Sequence, residues 1–100
     1  MWSSSLFSWE LIQTFLVVKR HRRVTTASVL LGVSNQKIRR QLQQLETLCG
    51  NRLFVAADGK LLPTQLGLDL GRLAEEISGL TEAFAEVATS EGLKGPANDP

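Results

Sequence analysis

The run Leu31-Gly32-Val33-Ser34, set between two short apolar-patterned segments, constrains this chain more than any other feature. Gly32 can adopt the positive φ that closes a helix, Val33 can plug the turn, and Ser34 is a good N-cap for a second helix. The segment after the turn keeps Ile38, Leu42 and Leu45 at i, i+4 and i+7, which makes one buried stripe of a helix. The segment before it, about Thr25 to Leu31, reads as a helix too. Two short helices joined by a tight turn form the helix-turn-helix arrangement.

The face opposite the stripe is polar and basic. At about 100° per residue, Gln36, Arg40 and Gln43 point away from Ile38, Leu42 and Leu45, with Lys37, Arg39 and Gln44 beside them and Asn35 at the helix start. A solvated surface is the commoner fate of such a face, but no acidic residue falls anywhere between Val33 and Leu45. Arg and Gln are the side chains that fork onto base edges in the DNA major groove, so this face is expected to contact DNA.

Charge along the chain agrees. Although the net charge is only +1, residues 1–60 hold nine Lys and Arg against Glu10, Glu46 and Asp58. Residues 61–100 reverse the balance, with seven acids against Arg72 and Lys94. The local field, not the whole-chain charge, governs encounter with a polyanion. The cluster Lys19-Arg20-His21-Arg22-Arg23 either touches phosphates or only solvates a helix end.

Other chemistries find little support. One hundred residues, 43% hydrophobic, suit a single small globular unit. Cys49 is the only cysteine, so neither an internal disulfide nor a cysteine zinc cluster can form, and it is expected to be a small core residue. His21 has no partner ligand, and Ser3, Ser4, Ser5 and Thr25 fit no hydrolase triad. No catalytic residue, metal, cofactor or small-molecule ligand is therefore expected. The apolar run Leu11 to Val18 is too short to span a bilayer and its charges follow it, so a soluble, unexported, cytoplasmic protein without a membrane partner is expected.

Around the helix-turn-helix, Leu11, Ile12, Phe15 and Leu16 predict a first amphipathic helix within Trp2 to Val18, capped by Ser5 or Ser8. Arg52 to Val55 and Lys60 to Leu62 flank Asp58-Gly59, a strong hairpin-turn signal, which predicts a two-stranded wing. Pro63 stops the second strand and Thr64 can cap a long helix running to about Thr89. On that helix Leu66, Leu70, Leu73, Ile77, Leu80, Phe84 and Val87 alternate steps of four and three, a heptad seam. Leu66, Leu70 and Leu73 can serve the chain's own core. Leu80, Phe84 and Val87 lie too far along to do so, and pairing with a second copy is expected. The fold class is thus mainly α: a winged helix-turn-helix over 1–63, with a three-helix core and a two-stranded hairpin, a linker and dimerisation helix over 64–89, and a flexible tail over 90–100.

Taken together, Phe15 with Leu16-Val17-Val18, Ala27, Leu31-Gly32-Val33-Ser34, Leu45-Glu46, Gly50, Arg52-Leu53-Phe54 and Thr64 with Gly67 resemble, in order and spacing, the N-terminal domain of LysR-type transcriptional regulators. The resemblance implies a bacterial DNA-binding regulator that dimerises through its fourth helix. It places the groove-reading positions on Asn35, Gln36, Arg39 and Arg40. The family usually has Pro at Gln36 and Ser at Arg39, which implies that different bases are read here. A wing Arg of the family is replaced by Ala56, leaving Arg52 and Lys60 as substitutes, and Cys49 stands where Leu is usual. Family members normally continue into a large effector-binding domain, which these 100 residues do not contain; with one, the homodimer would extend to a tetramer.

The function expected from the sequence is therefore sequence-specific double-stranded DNA binding as a homodimer, with helix 3 (about 34–47) in the major groove of nucleoid DNA. Arg40 and Gln36 are the leading base readers, followed by Asn35, Arg39 and Gln43, while Thr25, Lys37, Arg52 and Lys60 hold phosphates. An alternative from another class is a short interaction module that pairs through 66–87 and sequesters full-length regulators. A weaker one lays residues 9–23 on anionic lipid as an amphipathic helix.

Overall fold

The computed structural model describes residues 6–94. Their order is α1 (Trp9–His21), α2 (Val24–Leu31), α3 (Asn35–Cys49), β1 (Phe54–Ala57), β2 (Lys60–Pro63) and α4 (Gln65–Lys94). The architecture is the expected winged helix-turn-helix followed by a long helix.

Local chemistry sets each boundary. Ser8 caps α1 by accepting from the Leu11 N–H at 3.3 Å; the alternative cap, Ser5, lies outside the described residues. Basic Lys19, Arg20 and His21 occupy the last turn of α1, where cations favour the helix dipole, so the helix runs through part of the charged cluster and ends at left-handed Arg22. Ser34 caps α3 through the Lys37 N–H at 3.0 Å. Gly32 and Gly50 close α2 and α3 in the left-handed region, and α3 reaches Cys49, two residues past the expected end. In the hairpin Asp58 and Gly59 have φ of 52° and 74°, the two positive values a type I′ turn requires. The strands pair antiparallel from Phe54↔Pro63 to Ala57↔Lys60, so β1 lies two residues further along than expected.

α1 is the central element, packing against α2, α3, α4 and β2. The core comprises Leu11, Phe15, Leu16 and Val18 of α1, Val24 and Ala27 of α2, Ile38, Leu42 and Leu45 of α3, then Leu53, Phe54 and Ala74. Phe15 and Phe54 meet with ring centroids 5.5 Å apart, linking α1 to the wing. Val33 packs against this core from the turn.

α4 starts at Thr64, whose hydroxyl accepts from the Gly67 N–H at 3.1 Å and donates to the Arg52 carbonyl at 2.8 Å. The helix continues to Lys94, five residues beyond the expected Thr89. Gly92 alone costs only about 1 kcal/mol, too little to end a helix, and of the tail expected over 90–100, residues 95–100 lie outside the described residues. Leu66 and Leu70 pack against the core, whereas Leu73 is exposed. The small buried contact at that level is Ala74 instead. Cys49, expected in the core, is half-buried and packs against the core's edge, because it closes α3 beside an open apolar groove lined by α1, α3 and α4. Burial, followed by the charge of Glu46, pushes its thiol pKa up, which keeps it protonated.

Gly67 has no room for a side chain: a Cβ there would collide with the Leu53 carbonyl oxygen at the base of the wing. At Gly71 the neighbour is the flexible end of Lys19, and Gly79 faces open space. Gly67→Ala is therefore expected to lower the unfolding free energy by about 1–3 kcal/mol. Gly79→Ala should raise it by up to about 1 kcal/mol through helix propensity. Urea denaturation of the two variants reads both signs, and a neutral Gly67→Ala would contradict the close approach.

Candidate nucleic-acid interface

Three buried residues orient α3. Ile38 has no exposed surface, and Leu42 and Leu45 are nearly as deep, so the helix cannot roll without exposing all three. Gln41 flanks this stripe and is buried too. Its side-chain carbonyl accepts from the Thr14 hydroxyl at 2.7 Å, which ties α1 to α3 and pairs these two buried oxygens.

With the stripe held down, Asn35, Gln36, Arg39, Arg40 and Gln43 are exposed. None of their side chains makes a hydrogen bond or ion pair among the described residues, so their donors and acceptors are open to a partner. Lys37 differs: it is half-buried and its ammonium lies 3.4 Å from Glu10 at the start of α1. An ion pair this exposed is weak and leaves Lys37 able to exchange partners. Thr25 is exposed on the first turn of α2, whose N-cap, Arg23, provides no side-chain hydrogen bond. Lys60 stands exposed at the tip of the wing, and Arg52 precedes β1 with its guanidinium 3.7 Å from Glu46.

Sequence reasoning missed the role of Glu46. From the last turns of α3 its carboxylate accepts from the backbone N–H groups of Leu53, at 2.7 Å, and Phe54, at 3.3 Å. The wing is thereby anchored to α3. A second tie joins the wing to the α1–α2 junction, where the Leu61 N–H donates to the Arg22 carbonyl at 2.8 Å. The family pattern Leu45-Glu46 was the available signal, but it does not name the atoms Glu46 meets.

The basic cluster divides. Arg20 turns to α4 and grips Glu75 with two parallel bonds of 2.9 and 2.6 Å, and this hydrogen bonding holds the Glu75 carboxyl below the usual carboxylate range. Arg22 and Arg23 remain beside the wing. On α4 the seam residues Leu73, Ile77, Leu80, Phe84 and Val87 are exposed, with Leu80 at 72% and Phe84 at 77%. Val29 and Leu30 of α2 are also exposed, and the sequence pattern had not singled them out. No helix among the described residues is long and apolar enough to cross a membrane.

Residues 9–68 match a family of bacterial regulatory helix-turn-helix proteins, the lysR family. The HTH-type transcriptional regulator AbaB of Streptomyces antibioticus is 34% identical over 80 residues, covering 80% of this chain and 26% of AbaB. Oxidised OxyR of Corynebacterium glutamicum superposes with a TM-score of 0.75 at 25% identity, over 81% of this chain and 25% of that one. The BenM DBD in complex with benA site 1 DNA shares the fold, with a TM-score of 0.75 at 18% identity, over 83% of this chain and 96% of that one. The chain thus spans about a quarter of the length of AbaB and of OxyR.

Removing the Glu46 carboxylate leaves two part-buried N–H groups without their acceptor. Glu46→Ala is expected to cost about 1–3 kcal/mol and to speed amide hydrogen exchange at Leu53 and Phe54 ahead of Ile38. Exchange at those two amides that stays as slow as in the parent would show that the wing is held by other contacts.

Proposed function

The chain belongs to the lysR family of bacterial regulatory helix-turn-helix proteins, and on that premise we propose that it binds double-stranded DNA sequence-specifically as a homodimer within a transcription regulator. Residues 1–63 form the DNA-binding unit and α4 the linker and dimerisation helix. α3 enters the major groove, and the protein works in the cytoplasm, on the nucleoid.

The observation that carries this reading is the outward face of α3. It combines Gln36, Arg40 and Gln43, which make no side-chain hydrogen bond or ion pair among the described residues, on a stretch, Val33 to Leu45, that holds no acidic residue, and it is oriented by buried Ile38, Leu42 and Leu45. Arg40 can fork onto guanine O6 and N7, and Gln36 onto adenine N6 and N7. Asn35 and Gln43 flank them. Thr25, Lys37, Arg52 and Lys60 lie on surrounding elements where phosphate contacts would position the helix without reading sequence. The relatives support the partner: AbaB is named a transcriptional regulator, and the BenM DBD was solved with benA site 1 DNA.

Dimerisation through α4 is supported by its apolar seam. Leu73, Ile77, Leu80, Phe84 and Val87 continue the seam that Leu66 and Leu70 begin against the core, and their exposure in one copy leaves a long apolar strip for a second. Two-fold symmetry then sets two α3 helices in major grooves one helical turn, or a multiple, apart.

Selection of bound fragments from a random duplex pool should yield a nearly palindromic motif. In the combined variant Gln36→Ala with Arg40→Ala, preference at the matching bases should fall by about 1–3 kcal/mol per lost bidentate contact, with the melting temperature unchanged. An unaltered motif in the folded variant would refute base reading by α3. Leu80→Glu with Phe84→Glu should give a monomer in sedimentation and reduce binding to that of a single half-site; a dimer that persists would place the interface elsewhere.

A further inference from the structure

Arg39 sits apart from the other side chains on the outward face of α3. At about 100° per residue it is one step from Ile38, whereas Arg40 is two steps away and nearly opposite the buried stripe. Arg39 consequently faces the wing, lining a cleft with Arg52 on one side and a second cleft on the other.

This second cleft gathers charge from three elements. Arg22 and Arg23 come from the α1–α2 junction, Arg39 from α3 and Lys60 from the wing, with Thr25 between them, and no carboxylate lines it. Its volume of about 320 Å³ exceeds the roughly 30 Å³ share of a water by an order of magnitude, ample for a phosphodiester with some of its hydration. The walls are mutually fixed. The Leu61 N–H bonded to the Arg22 carbonyl locks the residue after Lys60 to the residue before Arg23, and Arg22 itself is held in the left-handed region at φ 63°. Among the described residues the basic side chains in ion pairs are Arg20, Lys37, Arg52 and Arg72, and none of the four cations of the cleft is one of them. Four like charges held together without compensation favour an anion between them, and guanidinium forks match phosphate oxygens.

We propose that Arg22, Arg23, Arg39 and Lys60 form a clamp for one phosphate of the DNA backbone, so that Arg39 positions the duplex while base reading is left to Gln36, Arg40 and their neighbours. The clamp rests on the DNA-binding reading above and deepens it. It fixes the depth at which α3 enters the groove, because the wing and the helix-turn-helix hold the same strand.

The test is the binding of the complete chain to its selected duplex and to a random duplex across a salt series, read by fluorescence anisotropy. Arg22→Gln with Lys60→Gln should weaken binding to both duplexes by the same factor, on the order of tenfold, and make the salt slope shallower by about 1 for each protomer's clamp, or about 2 for the bound dimer. Arg39→Gln should act likewise and leave the selected motif unchanged, while Arg40→Gln should alter the motif. All four positions are on the surface, and melting curves confirm folding. A changed motif in Arg39→Gln, or an unchanged salt slope in both clamp variants, overturns the clamp while leaving DNA binding intact. A parent chain that binds no duplex at all sinks the DNA-binding reading, and the clamp with it.

Discussion

Burial of Ile38, Leu42 and Leu45 beneath α1 is the contact on which the rest of the structure turns. Each of these side chains contributes roughly 1.5–3 kcal/mol when removed from water, so rolling α3 to bury its polar face instead would cost a large part of the roughly 5–15 kcal/mol that stabilises a whole domain. The polar face is outward as a consequence of this packing. Gln41 confirms how tightly the rotation is set: a residue on the edge of the stripe is buried, and it is accommodated only because Thr14 supplies the matching hydroxyl 2.7 Å away.

The wing and α4 are attached to this core through few, well-defined contacts. Glu46 accepts from two N–H groups at the start of β1, the Leu61 N–H binds the Arg22 carbonyl, and Thr64 bridges the end of the wing to the first turn of α4. Gly67 lets α4 lie directly on the Leu53 backbone. The basic elements are thereby arranged around α3, while the acids of α4 lie on the helix that leaves the core. Arg20 with Glu75 is where the two charge regions meet. That separation gives the chain a cationic end despite a net charge of only +1.

Much of the fold was legible in the sequence because its signals are local. Gly32 and Ser34 delimit the turn, Asp58-Gly59 the hairpin and Thr64 the start of α4, and each acts on backbone within a few residues. The apolar stripe of α3 was legible through its period. What escaped depends on residues distant in the chain: Thr14 with Gln41 lie 27 residues apart, Arg20 with Glu75 lie 55 apart, and neither pair has a pattern that names its partner. Heptad spacing also could not tell which seam positions the chain covers itself; coverage stops after Leu70, since Ala74 takes the buried place while Leu73 faces out. The candidate site was legible as a face, through the lack of acids around Arg39 and Arg40, but the different outlook of those two neighbours appears only once the wing is in place.

The most direct measurement of the central claim is a chemical-shift map of the labelled chain titrated with its selected duplex. If the packing of Ile38, Leu42 and Leu45 presents α3 to the groove, the largest changes fall on Asn35 to Gln43 and on the wing tip around Lys60. Changes confined to α4, with α3 unperturbed at saturation, would contradict it.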